Sequence, residues 1–173
     1  MAEVAQQPLT STDFELPTVP ASAGALIFDT RGRLLILRTT YKSGWTIPGG
    51  VMENDGETPW QTCRREVREE CGLDVTAARL ACVDFRPLRP GRPGGIRFLF
   101  DCGRLDSDAL RAITLQPVEI AEHRLVPVAG ALALLRKPIR RRVRATVRRD
   151  GKARCRGTIY LEDGRPVSAI SSA

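Results

Sequence analysis

Chemistry concentrates in this sequence at Arg65-Glu66-Val67-Arg68-Glu69-Glu70. On a helix, at about 100° per residue, Glu66, Glu69 and Glu70 fall within roughly a 100° arc of one face. Like charges four residues apart cost a few tenths of a kcal/mol on a helix, and a hard divalent cation such as magnesium, which takes carboxylate oxygens, would offset that cost. The six residues alone leave an alternative open: a solvated charged face with Arg65 and Glu69 as a salt bridge.

The flanking residues predict the helix that such a face needs. Thr58-Pro59-Trp60-Gln61 has the form of a capping box with proline at the first helical position, and Gly72 suits the residue just past a helix end. About 13 residues lie between them. Trp60, Cys63, Val67 and Cys71 recur on one apolar stripe, opposite the glutamates.

Composition narrows the chemistry. The chain has 173 residues, one histidine (His123) and five cysteines, with no pair spaced as C-x-x-C. A mechanism needing two imidazoles is excluded, and the cysteines read as reduced thiols packed as small apolar groups. An apolar fraction of 42% with 27% charged residues fits one globular domain, or one domain with a tail. No stretch approaches a membrane span, and residues 1–20 lack the basic-then-apolar order of a signal peptide. The expectation is therefore a cytoplasmic protein without membrane contact. The net charge of +7 is local: 136–156 carry 11 Lys or Arg against the single acid Asp150, so the remainder is slightly acidic.

Along the chain, 1–20 read as a loose arm and 23–40 as a β-hairpin around an Asp-Thr-Arg-Gly turn. A short strand, Trp45–Pro48, enters the glycine pair Gly49–Gly50. Residues 73–87 and 95–105 read as strands joined by a Pro/Gly/Arg loop, and 128–136 read as helical. Beyond Pro138, apolar residues four apart favour a helix ending at Gly151, although Val143, Ala145 and Val147 also allow a strand. Residues 157–164 read as a short strand and turn.

Gly50, Glu57, Arg65-Glu66, Glu69-Glu70 and Gly72-Leu73 together resemble the Nudix box: a glycine, five residues, a glutamate, seven residues, then R-E-U-x-E-E-x-G-U, with U apolar. From Glu57 onward every position matches. Upstream, six residues instead of five separate Gly50 from Glu57, the extra one falling in Glu53–Gly56. The similarity continues through Trp-Thr-Ile-Pro-Gly-Gly before the box and Glu-Ile-Ala-Glu-His-Arg-Leu-Val-Pro after it, over roughly 21–136. Residues 137–173 would then be a basic extension packed on the same domain.

The resemblance implies an α/β/α sandwich around a mixed β-sheet and an Mg²⁺-dependent pyrophosphohydrolase, with Mn²⁺ as a substitute. The substrate class would be a nucleoside diphosphate linked to another moiety. It implies Glu66, Glu69 and Glu70 as metal ligands with the Gly49 carbonyl beside them, and Arg65 with Glu57 as the pair that holds the carboxylates in place. A later acidic residue, Glu119 or else Glu122, would serve as a ligand or general base. Divalent ions would neutralise the phosphates and activate a water, and a glutamate would accept its proton.

Other residues leave two readings open. Arg86, Arg89, Arg92 and Arg97 suit substrate phosphate or a solvated loop. Trp45 and Phe85 suit a stacked base or the core, and His123 reads as structural. The basic tail suits a solvated amphipathic helix, a homodimer contact or nucleic acid; lacking interleaved aromatics, it does not favour the last. Two further functions stay open: removal of pyrophosphate from the 5′ end of RNA, and a Nudix-fold nucleotide-binding regulator without catalysis.

Overall fold

The computed structural model describes residues 18–147 and 157–167. Within them the order is β1 (Ala21–Asp29), β2 (Arg33–Thr39), β3 (Trp45–Thr46), β4 (Gly49–Val51), α1 (Pro59–Cys71), β5 (Arg79–Arg86), β6 (Gly95–Leu105), α2 (Ser107–Arg111), β7 (Ile120–Pro127), α3 (Val128–Leu134), α4 (Lys137–Thr146), β8 (Ile159–Glu162) and β9 (Arg165–Pro166). The strands form one mixed sheet in the order β3-β2-β1-β6-β5-β8-β9, with β4 added to β1 and β7 to β2.

β1 and β2 are nearly continuous apolar runs because both faces of the sheet are covered. Period-2 alternation sorts their side chains between two cores. Ala23, Ala25, Ile27, Leu35 and Leu37 pack with Cys63, Val67 and Cys71 of α1. Leu26, Phe28, Leu34 and Ile36 pack on the other side with Val128 and Ala131 of α3 and Val143 of α4. Helices on both faces of a mixed sheet make this an α/β/α sandwich, as expected.

The hairpin prediction holds only at its turn, where Phe28 pairs with Leu34. Further along, β1 gives one edge to β6 in parallel and the other to β4, so β2 diverges and pairs with β7 over most of its length. Strand β5 starts at Arg79, later than the sequence pattern, and the five-residue α2, capped by Asp106, lies in a stretch that reads as merely polar.

The basic segment after Pro138 is helical, as favoured, but ends at Thr146, whose hydroxyl donates to the carbonyls of Arg142 and Val143 while Val147 turns extended. The expected arm over 1–20 lies outside the described residues apart from 18–20, and the continuation of the basic helix to Gly151 lies outside them as well. No helix among the described residues is long and apolar enough to cross a membrane.

Candidate active site

α1 forms where the sequence places it. The Thr58 side chain accepts from the Gln61 N–H, the Gln61 side chain accepts from the Thr58 N–H, and Gly72 ends the helix in the left-handed region at φ 67°. Its apolar stripe seals against β1, and Trp60 packs on Phe100 with ring centroids 5.3 Å apart. The docking directs the glutamate face toward the rim formed by β4.

Arg65 organises that face. Its Nε and Nη2 donate to the two oxygens of Glu57 at 2.9 and 3.2 Å, and its Nη1 donates to Glu66 at 2.9 Å and Glu69 at 3.0 Å. A further Nη2 bond reaches the Val51 carbonyl at 3.1 Å. All five guanidinium protons thus have an acceptor, which fixes the arginine as a planar fork between the β4 loop and the helix. Glu57 also accepts from the Thr62 hydroxyl and the Glu53 N–H. The Arg65 fork holds the Glu57 carboxyl low, at about 2, and Glu57 in turn drives the Arg65 pKa upward.

Glu70 and Glu66 close on the glycine pair. Glu70 accepts the Gly49 N–H at 2.7 Å. A Cβ on Gly50 would stand 2.3 Å from a Glu66 oxygen, so only glycine lets this carboxylate lie on the backbone. Burial pushes the Glu70 pKa up to about 8, with Glu66, Glu119 and Glu69 adding to it, and burial raises Glu66 as well. Two partly desolvated carboxylates beside a third, with one guanidinium among them, form an oxygen-only donor set with excess negative charge. That chemistry fits a hard divalent cation. Among the described residues no three acidic, thiol or imidazole groups stand as a preformed metal cage; Arg65 bridges Glu66 and Glu69 instead.

In the loop Glu53–Gly56, where the sequence has one residue more than the box, Gly56 adopts φ 92° and the Glu57 N–H donates to Asp55. The glycine pair keeps its pairing with β1, Gly49 against Gly24 and Gly50 against Ala23.

Glu119 belongs to a loop tied to the same end of α1. Gln116 N–H donates to the Glu70 carbonyl, Thr114 N–H donates to that of Cys71, and the Glu119 carbonyl accepts from Thr40 at 2.8 Å. Its charge reaches both Glu66 and Glu70. Glu122 is engaged elsewhere, bonded to Arg124 at 2.7 Å and Arg38 at 3.0 Å, with its pKa lowered chiefly by Arg124.

The remaining sequence candidates divide. Trp45 is 7% exposed, belongs to the core on the α3–α4 side and carries the Arg124 guanidinium 4.7 Å over its ring. Phe85 and Arg86 sit at the end of β5, opposite Ile96 and Gly95. That strand is separated from β1 by β6, about 10 Å from it at normal strand spacing. Arg89 pairs with Asp163, and Arg92 is exposed. Arg97 is half-buried and lines a cleft next to Gly49–Gly50. His123 is partly buried in β7 opposite Leu37.

Sequence reasoning passed over Tyr41. This side chain is 61% exposed, on the loop that Thr40 ties to Glu119, and it feels the charges of Glu70, Glu119 and Glu66. Its local sequence, Tyr-Lys-Ser-Gly, carries no signal beyond a polar turn.

The family model described as "NUDIX domain" matches residues 18–147. A MutT-like protein of Streptomyces ambofaciens is 33% identical over 123 residues, covering 68% of this chain and 75% of the relative. An 8-oxo-dGTP diphosphatase of Proteus vulgaris is 40% identical over 62 residues, 34% of this chain and 54% of its own. Among solved structures, the MutT protein from Methanosarcina mazei Go1 superposes with a TM-score of 0.60 at 27% identity, covering 73% of this chain and 91% of that one. The chain belongs to the Nudix family, hydrolases that act on phosphoanhydride bonds and generally use divalent metals, typically Mg²⁺.

Proposed function

We propose that this chain is an Mg²⁺-dependent pyrophosphohydrolase cleaving a nucleoside diphosphate linked to another moiety. The observation that carries the reading is the five-bond seat of Arg65, which holds Glu57, Glu66 and Glu69 in register while Glu66 and Glu70 lie on Gly49–Gly50. Glu66, Glu69 and Glu70 would hold the metal, with the Gly49 carbonyl as a further oxygen. When bound, the metal supplies charge neutralisation for the pyrophosphate and lowers the pKa of water. Arg65 and Glu57 keep the carboxylates oriented, so little reorganisation is needed during the reaction. Glu119, close enough for its charge to act on Glu66 and Glu70, is the candidate to accept the proton of the attacking water.

The test is product release from a panel of nucleoside triphosphates, ADP-ribose, dinucleoside polyphosphates, NAD and 5′-triphosphorylated RNA, with Mg²⁺ or with chelator. At least one member should turn over only with metal, and Glu69→Gln should lower kcat by about 10²–10⁴-fold. Turnover of no member, or an undiminished rate in Glu69→Gln, would overturn the reading.

A further inference from the structure

Beside Gly49–Gly50, on the face of β1 and β6 that α4 covers, lies a cleft of about 90 Å³. Its apolar wall includes Ile47, Leu99 and Ile139, and two cationic side chains, Arg97 and Arg142, border it. The glycine pair thus lines this cleft and also touches the Glu66 and Glu70 carboxylates of α1.

The charges of the cleft do not balance. Asp84 on β5 is fully buried, and both of its oxygens are committed: one to Arg142 Nε at 2.5 Å, the other to the Gly164 N–H at 2.7 Å. Arg97 stands directly across the strands from Asp84, yet among the described residues no carboxylate comes within ion-pair distance of it. Its hydrogen bonds go to the carbonyls of Pro20, Ile96 and Gly94. Burial, and then the neighbouring charges of Arg142 and Arg86, hold its pKa below the usual arginine value, with the Asp84 charge only partly opposing them. A half-buried guanidinium among other cations costs free energy that a bound anion would offset.

We infer that this cleft is an anion subsite in which Arg97 receives a phosphate or carboxylate of the substrate moiety lying beyond the hydrolysed linkage. Arg97 is then a specificity-determining residue, selecting substrates charged at that end over substrates with a neutral group there. This assignment rests on the hydrolase reading for its biological meaning, but anion binding in the cleft is measurable without turnover.

In chelator, with ionic strength held constant by chloride, inorganic phosphate should raise the wild-type Tm by about 2–4 °C. The rise should disappear in Arg97→Met, return in part in Arg97→Lys, and persist in Glu69→Gln. Kinetically, Arg97→Met should raise KM about tenfold or more for a nucleoside triphosphate. It should raise KM much less for a nucleoside diphosphate linked to a neutral hexose, so that the preference between the two collapses. An equal rise in Tm in wild type and Arg97→Met, no rise in either, or a proportionate loss on both substrates would overturn the subsite. If the wild type hydrolyses nothing, the hydrolase reading fails by itself, and the phosphate measurement still decides whether Arg97 binds an anion.

Discussion

Arg65 and Arg142 are both gripped by carboxylates, but their surroundings carry opposite excess charge. Around Arg65 one cation meets Glu57, Glu66 and Glu69, with Glu70 close by, at a rim partly open to solvent. Around Arg142, among the described residues, one buried carboxylate, Asp84, faces Arg142 and Arg97 beside an open cleft. The first surplus is negative and invites a cation; the second is positive and invites an anion. Gly49 and Gly50 lie between the two, so the proposed cation site and the proposed anion subsite share one pair of residues.

The difference also separates function from support. The acid excess beside α1 is costly to stability, since two glutamates there are held partly desolvated. The Asp84–Arg142 pair fastens α4 and the β8–β9 turn to the sheet. Removing its carboxylate should be the most damaging of the changes considered. Asp84→Asn strands a buried arginine charge and should cost about 3–5 kcal/mol by denaturant unfolding. Pairing Asp84→Leu with Arg142→Met should recover much of that loss, because an apolar pair of similar bulk avoids burying ions at all. A small loss in Asp84→Asn would mean the pair is not the fastening it resembles.

Gly50→Ala tests the partition itself. The backbone there is outside the left-handed region, so the fold should survive, but the new methyl would meet the Glu66 carboxylate. Displacing that group by about 1 Å should lower kcat by about 10²-fold with the circular dichroism spectrum retained. Full activity in this variant would detach Glu66 from the glycine pair.

The mildest expected effect is on the acid limb of stability. The Glu57 pKa is lowered, by the Arg65 bond first of all, from the ordinary 4.5 to about 2. A depressed carboxyl favours the folded state above its unfolded value, and that contribution is lost as pH falls through the folded one. Stability should therefore decline as pH drops from about 4.5 to about 2, and Glu57→Gln should flatten that part of the profile. An unchanged acid limb in the variant would show that the ion pair adds nothing to folding.

How legible each region was follows from how far apart its parts lie in the chain. The capping box, the apolar stripe, Arg65 and its glutamates all lie within Glu57–Gly72, where bonds between residues a few positions apart decide the structure. Helical spacing alone brings Arg65 to Glu69, and the salt bridge that a solvated face would show does form, within a larger network. The stacking reading of Trp45 shows the limit. A tryptophan in a strand fits a binding face or the core equally well from sequence, and here it lies in the core beneath Arg124. Arg97 was readable as a phosphate candidate, but not as a guanidinium without an ion pair among the described residues, because that depends on Asp84 being bonded by an arginine 58 positions away.

What the sequence determined by itself was the helix and its acidic face, because short-range hydrogen bonding and helical period are sufficient for those, while the metal-ligand reading of that face came from the resemblance to the Nudix box. Only the tertiary structure decided which glycine each glutamate touches, that β1 turns away from β2 to pair with β6 and β4, and that Asp84 bonds Arg142 while Arg97 bonds backbone carbonyls. Those outcomes depend on sheet pairing and on burial, which distribute charges among partners far apart along the chain, and no local pattern encodes that distribution.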